Sequence, residues 1–201
     1  MTLVRKIQAD IFIGDERVPI RFLGKGMFSH VYREQRGARR VIALTHPDAV
    51  EKEIMAELHE KYPDNPHLPA IKRVGEMRDG RRAYTMPFYK QPDIWHEVSE
   101  ETRDDYVRIL DATWCDFDGK PDDYREPLLD VLARYEKLDV AEPLRTALVA
   151  MVRAASRYGE RLGVEIDHTN VAFDDQFRLV LLDLLYDPKL GAKLCVERYG
   201  K

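Results

Sequence analysis

Five side chains suited to chemistry fall within one short stretch near the C-terminal end of the chain: Glu165, Asp167, His168, Asn170 and, after an apolar interval, Asp183. Glu165 and Asp167 are candidate proton acceptors, since a positioned carboxylate can take the proton of a hydroxyl. Asn170 and Asp183 bring an amide oxygen and a carboxylate, which suit a hard cation such as Mg²⁺. The residues between them read as a hairpin. Val171-Ala172-Phe173 leads to a turn at Asp174-Asp175, and Leu179-Val180-Leu181-Leu182 returns. Such a hairpin puts Asn170 and Asp183 at its open end, where the two side chains can converge. His168 is expected to hydrogen-bond the loop backbone. A second suggestive stretch, Gly24-Lys25-Gly26-Met27-Phe28-Ser29-His30-Val31-Tyr32, joins two strand-like runs through a glycine-rich turn. Its backbone N–H groups can lie over phosphates, although Gly-x-Gly alone is common in hairpin turns.

The elements that must position these residues follow from periodicity. Residues 1–45 read as strands, with Val41-Ile42-Ala43-Leu44 the most apolar of them. A helix is expected over 47–61, opened by Pro47-Asp48, with Val50, Ile54, Met55 and Leu58 on one face. Leu68–Val74 fits a strand, and Gly75–Tyr89 a hairpin that turns at Asp79-Gly80. From Ser99, a reasonable N-cap, the pattern becomes helical. Its stripes are Tyr106, Ile109, Leu110 and Trp114, then Tyr124, Leu128, Val131, Leu132 and Tyr135. A long amphipathic helix is expected from Glu142 to Leu162, closed by Gly163 as a C-cap. Strands followed by helices indicate an α+β protein.

Composition narrows the function classes. The 201 residues suffice for one domain or two small lobes with a real core. A net charge of −4, from 32 basic and 36 acidic residues, argues against a nucleic-acid binder. There is no signal-peptide core and no apolar run long enough to span a bilayer. Cys115 and Cys195 lie far apart, without metal-ligand spacing or sign of a disulfide, which suits a reducing cytoplasm.

The run Leu23-Gly24-Lys25-Gly26-Met27-Phe28-Ser29-His30-Val31-Tyr32 resembles the glycine loop of the protein-kinase-like fold, with Ser29 where that family has its third glycine. Asn170 and Asp183 stand thirteen positions apart, as do the family's catalytic-loop Asn and metal-binding Asp. Phe28-Ser29 and the His beside Asn170 are similar to the early serine/threonine kinases of T7-like phages. The resemblance implies two lobes. Residues 1–90 would form a small antiparallel β lobe with one helix, and 91–201 a short, mainly helical lobe, with the hinge near Lys90–Asp93. It implies ATP and Mg²⁺, with Gly24, Lys25, Gly26, Ser29 and Val31 at the nucleotide and Val31 over its adenine. Asn170 and Asp183 would take the metal, and Glu165 or Asp167 would act as base.

The departures matter as much. Glu165 stands where the family has the catalytic Asp, and Asp183-Leu184-Leu185 where it has Asp-Phe-Gly. The phosphate-gripping Lys is missing: no Lys or Arg lies in the window Ala43–His46, and the best register puts Thr45 there. Lys25 and Lys72 are distant stand-ins and read as surface lysines. Glu51, the best match to the helix acid that pairs with that Lys, reads as a surface acid. The likeness covers about residues 20–187, and the residues after Pro188 read as a short tail. Two functions follow from the resemblance. One is a degenerate pseudokinase acting through a protein partner, such as a host protein in a host cytoplasm. The other is a small active serine/threonine kinase that passes the ATP γ-phosphate to host proteins. A small-molecule kinase of the aminoglycoside phosphotransferase kind is a weaker third. No nucleic-acid or membrane partner is implied.

Overall fold

The structure, a computed structural model, describes residues 4–7, 10–35, 39–90, 92–114 and 127–200. Cys115 and Tyr124 lie outside the described residues. The chain is α+β and divides into two compact units. The first comprises Met1–His59, Ala70–Phe88 and Leu190–Lys201, and the second Glu60–Pro69 and Tyr89–Lys189.

The first unit is built on seven antiparallel strands: β1 (Val4–Ile7), β2 (Asp10–Ile13), β3 (Glu16–Lys25), β4 (Ser29–Glu34), β5 (Arg40–Thr45), β6 (Lys72–Glu76) and β7 (Arg82–Pro87). Their order in the sheet is β1-β2-β3-β4-β5-β7-β6. Alternating residues make one apolar face, where Ile11, Val18, Ile20, Tyr32, Ile42, Leu44 and Ala83 pack together. β5 is central, and Val41, Ala43 and Thr45 on its other face are buried too, which explains its unbroken apolar run. The turn at Asp79-Gly80 forms as expected. Gly80 takes φ +82°, a backbone region that glycine enters freely, and its N–H donates to Met77 O at 3.0 Å.

Helix α1 (Glu51–Lys61) starts four residues later than the sequence suggests. The Arg82 guanidinium donates to Pro47 O (2.7 Å) and Ala49 O (3.2 Å), carbonyls that an earlier helix start would need. Ile54, Met55 and Leu58 face inward as the spacing predicts. The reading of Glu51 as a surface acid is overturned: Glu51 is only 3% exposed and its neighbour Lys52 8%. The acid of α1 that meets cations on the sheet is Glu53. The Tyr84 hydroxyl donates to it at 2.6 Å, and Arg73 and Arg82 lie 3.4 and 3.8 Å away. Burial, reinforced by that carboxylate, pushes the Tyr84 phenol well above its usual range.

The second unit holds α2 (Glu100–Trp114), α3 (Leu128–Tyr135) and α4 (Glu142–Ser156), followed by four short strands. Ser99 caps α2, its Oγ accepting from Thr102 N at 3.2 Å. The inward residues of α4 are Leu144, Ala147, Leu148, Met151, Val152, Ala154 and Ala155. This helix ends at Ser156, not Leu162. Gly159, at φ +61°, turns the chain into a single 3-10 turn, and Leu162 is already extended. Gly163 is therefore not a C-cap. It opens β8 (Gly163–Val164), which pairs with β11 (Leu185–Tyr186), and a Cβ there would stand 2.7 Å from Tyr186 Cε1. Its lack of a side chain serves that close approach. Between these strands lies the hairpin of β9 (Val171–Phe173) and β10 (Leu179–Leu181).

Residues after Asp187 are not a tail. They form α5 (Pro188–Tyr199), most of which belongs to the first unit. Among the described residues, no helix is long and apolar enough to cross a membrane.

His67 fastens β10 from outside. Its carbonyl accepts Leu181 N (2.9 Å), and its Nδ1 lies 2.7 Å from Leu179 O. A carbonyl only accepts, so Nδ1 carries the proton. Burial lowers the His67 pKa below 6.5, and the Arg178 charge adds to the effect. Burial lowers that of His59 as well. Each ring binds a proton more readily unfolded than folded. Stability is therefore whole above about pH 6.5 and declines as pH falls toward the folded values. Thermal unfolding at pH 7.5 and 5.0 should give a smaller acid-induced loss in His67→Gln than in wild type. Equal losses would mean that His67 titrates alike in both states.

Candidate functional site

The glycine-rich stretch forms the hairpin between β3 and β4. Gly24 pairs with Val31 and Lys25 with His30, after a bulge between Phe22 and Gly24. A tight turn closes the tip, with Gly26 N donating to Ser29 O at 2.9 Å. Neither Gly24 nor Gly26 has positive φ, and a Cβ on either would meet nothing within 4 Å. Lys25 is exposed, as is Lys72 on β6.

β5 brings no Lys or Arg to the tip of this hairpin; its one cation, Arg40, pairs with Glu16 and Glu34 at the far end, each at 2.8 Å. Thr45 sits opposite Ser29 in the β4–β5 ladder, and their hydroxyls are 3.0 Å apart. Thr45 is buried, and the next residue, His46, donates its backbone N–H to Phe28 O at 2.8 Å. Thr45 thus ties the hairpin tip to the sheet through a short hydroxyl. Sequence reasoning found no Lys or Arg from Ala43 to His46 but missed this tie. The β4–β5 register was the only signal that could have revealed it.

The acidic stretch lies in the second unit. Glu165 follows β8, its N–H donating to Leu184 O at 2.9 Å. Ile166 is buried, and its carbonyl accepts the Trp114 indole N–H at 3.1 Å. Asp167 folds the next residues into an Asx turn: its Oδ1 accepts both the backbone N–H of Thr169 and its hydroxyl, the latter at 2.6 Å. The expectation that His168 would hold the loop backbone is overturned. Its ring is exposed, and Asp167 does that work because its short side chain reaches the backbone N–H of Thr169, whose hydroxyl also donates to it.

Asn170 begins the β9–β10 hairpin. Its carbonyl accepts the N–H groups of Leu182 (2.9 Å) and Asp183 (3.1 Å), so the Asn170 and Asp183 backbones meet at the open end. The Asn170 Nδ2 donates to Glu165 O at 3.3 Å. That bond commits the amide nitrogen and leaves Oδ1 as the atom suited to a cation. Asp183 is exposed and Glu165 half-buried.

The electrostatics separate the two candidate bases. Burial raises the Glu165 pKa, and the negative charges of Asp167 and Asp183 raise it further. Burial also pulls the Asp167 pKa upward, but the Thr169 hydrogen bonds and the His168 charge outweigh it and the net shift is downward. Asp167 is thus a structural carboxylate with Oδ1 doubly engaged. Of the two, Glu165 is the carboxylate whose charged form its surroundings disfavour.

The donor set fits Mg²⁺ in one way only. Among the described residues there is no group of three or more His, Cys, Asp or Glu side chains that could hold a metal ion. One amide oxygen and one carboxylate, as at Asn170 and Asp183, suit a Mg²⁺ that keeps its waters and takes the rest of its ligands from phosphates. No protein-family model matches the chain, and no curated protein does.

Proposed function

We propose that this chain is a degenerate, protein-kinase-like protein that acts by binding a protein partner and retains a weak hold on Mg²⁺–nucleotide. The single observation that supports a loss of catalysis is Thr45: a buried hydroxyl, bonded to Ser29, at the β5 position where the kinase resemblance calls for a permanent cation. Without that cation, a charge-assisted contact worth roughly 1.5–3 kcal/mol to the bound phosphates is missing. In this reading Gly24, Lys25, Gly26, Ser29 and Val31 take the nucleotide. Asn170 and Asp183 take the Mg²⁺, which would neutralise phosphate charge. The hairpin glycines support it. Neither is called for by backbone conformation or by neighbouring atoms, whereas a phosphate brought against the backbone would call for both. A host protein in a host cytoplasm is the partner class that accompanies the phage-kinase resemblance.

The Glu165 environment favours a second reading, an active serine/threonine kinase. Its half-buried carboxyl, with Asp167 and Asp183 near, is suited to accept a substrate hydroxyl proton. Transfer of ATP γ-phosphate to protein, lost in Glu165→Gln and in Asp183→Asn, would establish that reading and displace the first.

The nucleotide site is tested by thermal unfolding with ATP or ADP, each with and without Mg²⁺. Nucleotide at a hundred times its Kd stabilises by about 2.7 kcal/mol, a rise of several degrees for a chain of this size. The rise should need Mg²⁺ and vanish in Asp183→Asn. No rise with any nucleotide would remove nucleotide binding from the proposal.

A further inference from the structure

Helix α5 lays an apolar side against the glycine-rich hairpin. Leu190 and Leu194 are buried with Ala49 in a small cluster, and Phe28 packs against it. A Cβ on Gly191 would meet Phe28 Cζ at 3.8 Å and Met27 Cγ at 3.9 Å, so the helix backbone itself comes close to both tip residues. One turn on, Cys195 Sγ is 3.9 Å from Met27 Sδ. Residues 190, 191, 194 and 195 share one face of a helix. An exposed pair, Lys193 Nζ to Asp48 Oδ2 at 3.7 Å, flanks the contact and adds little.

The rest of the tip is lightly held. Its closure consists of Gly26 N to Ser29 O, the Ser29–Thr45 hydroxyl pair and His46 N to Phe28 O. Met27 and Phe28 are apolar residues at the apex of a turn, a place where loops usually expose polar groups. Phe28 packs on Leu190 and Leu194 of α5 together with Ala49, and Met27, though 40% exposed, lies against Gly191 and Cys195 of the same helix.

We propose that α5 is an intramolecular clamp on the glycine-rich hairpin. Docked, it holds Met27 and Phe28 and fixes the tip in one conformation; lifted, it frees the tip and alters the hairpin's hold on a phosphate-bearing ligand. Only the ligand half of this statement rests on the proposed nucleotide binding. The clamp itself concerns the helix and the hairpin.

The test is amide hydrogen exchange in the full-length chain without nucleotide, read at Gly26 and His46, whose hydrogen bonds close the tip. Leu194→Asp places a charge in the buried contact. It should speed exchange at these two amides by about tenfold or more, while the β5 and β7 core amides stay protected. A Met27→Cys, Cys115→Ser chain joined to Cys195 by a short thiol cross-linker should do the reverse and slow exchange relative to the same chain unjoined. Unchanged exchange in both variants, or failure of the cross-link to form in folded protein, would overturn the clamp. Should Leu194→Asp unfold the unit, the cross-linked comparison decides alone. An ATP titration of wild type and Leu194→Asp is read separately. Altered exchange with no response to ATP leaves the clamp standing and removes the nucleotide.

Discussion

Replacing Phe173 with alanine lowers stability by about 3–5 kcal/mol, as measured by chemical denaturation. Phe173 is fully buried at the end of β9. It exchanges two backbone hydrogen bonds with Lys90, at 2.8 and 2.9 Å, and its ring meets Trp95 edge-on with centroids 5.0 Å apart. Trp95 in turn packs on Tyr106 of α2 at 4.9 Å. Truncation removes the transfer energy of the ring, opens a cavity between strand and helix, and forfeits the edge-to-face contact. Phe173→Leu keeps most of the volume and should cost less than half as much. A loss of under about 1 kcal/mol in the alanine variant would mean that the β9 hairpin collapses around the gap, and the hairpin would then be too soft to hold Asn170 and Asp183 in register.

Tyr135 should rank with it. The residue is fully buried in α3, and its hydroxyl lies 2.6 Å from Thr113 Oγ1 of α2. Thr113 spends its one proton on Ile109 O at 2.7 Å, so Tyr135 donates and Thr113 accepts. Burial pushes the phenol up to about 12, so it stays neutral at every working pH. Tyr135→Ala removes both ring and bond and should cost about 3–5 kcal/mol. Tyr135→Phe removes only the bond and should cost about 0.5–1.5 kcal/mol, since the Thr113 hydroxyl keeps its other partner. Urea midpoints of the two variants measure the difference. Equal losses would assign the whole effect to the hydroxyl and contradict the packing argument.

Much of the candidate site was legible because it is local. Gly24 to Val31 are near neighbours in sequence and their turn needs only each other. Asn170 and Asp183 are brought together by one hairpin, whose apolar runs and turn residues are all in view. The Ser99 cap and the Asp79-Gly80 turn were readable for the same reason: a side chain or a φ acts within three or four residues.

What the sequence by itself determined, then, is most of the local elements, the absence of Lys and Arg from Ala43 to His46, and the placing of an amide and a carboxylate at one hairpin's open end. Only the tertiary structure decided that Thr45 ties off the glycine hairpin, that Glu51 is buried while Glu53 takes the arginines, that Gly163 yields to the Tyr186 ring, and that α5 returns to meet Met27 and Phe28. Each of these is a contact between residues far apart in sequence. Backbone propensity and periodicity report which face of an element is apolar, but not which other element comes to cover it.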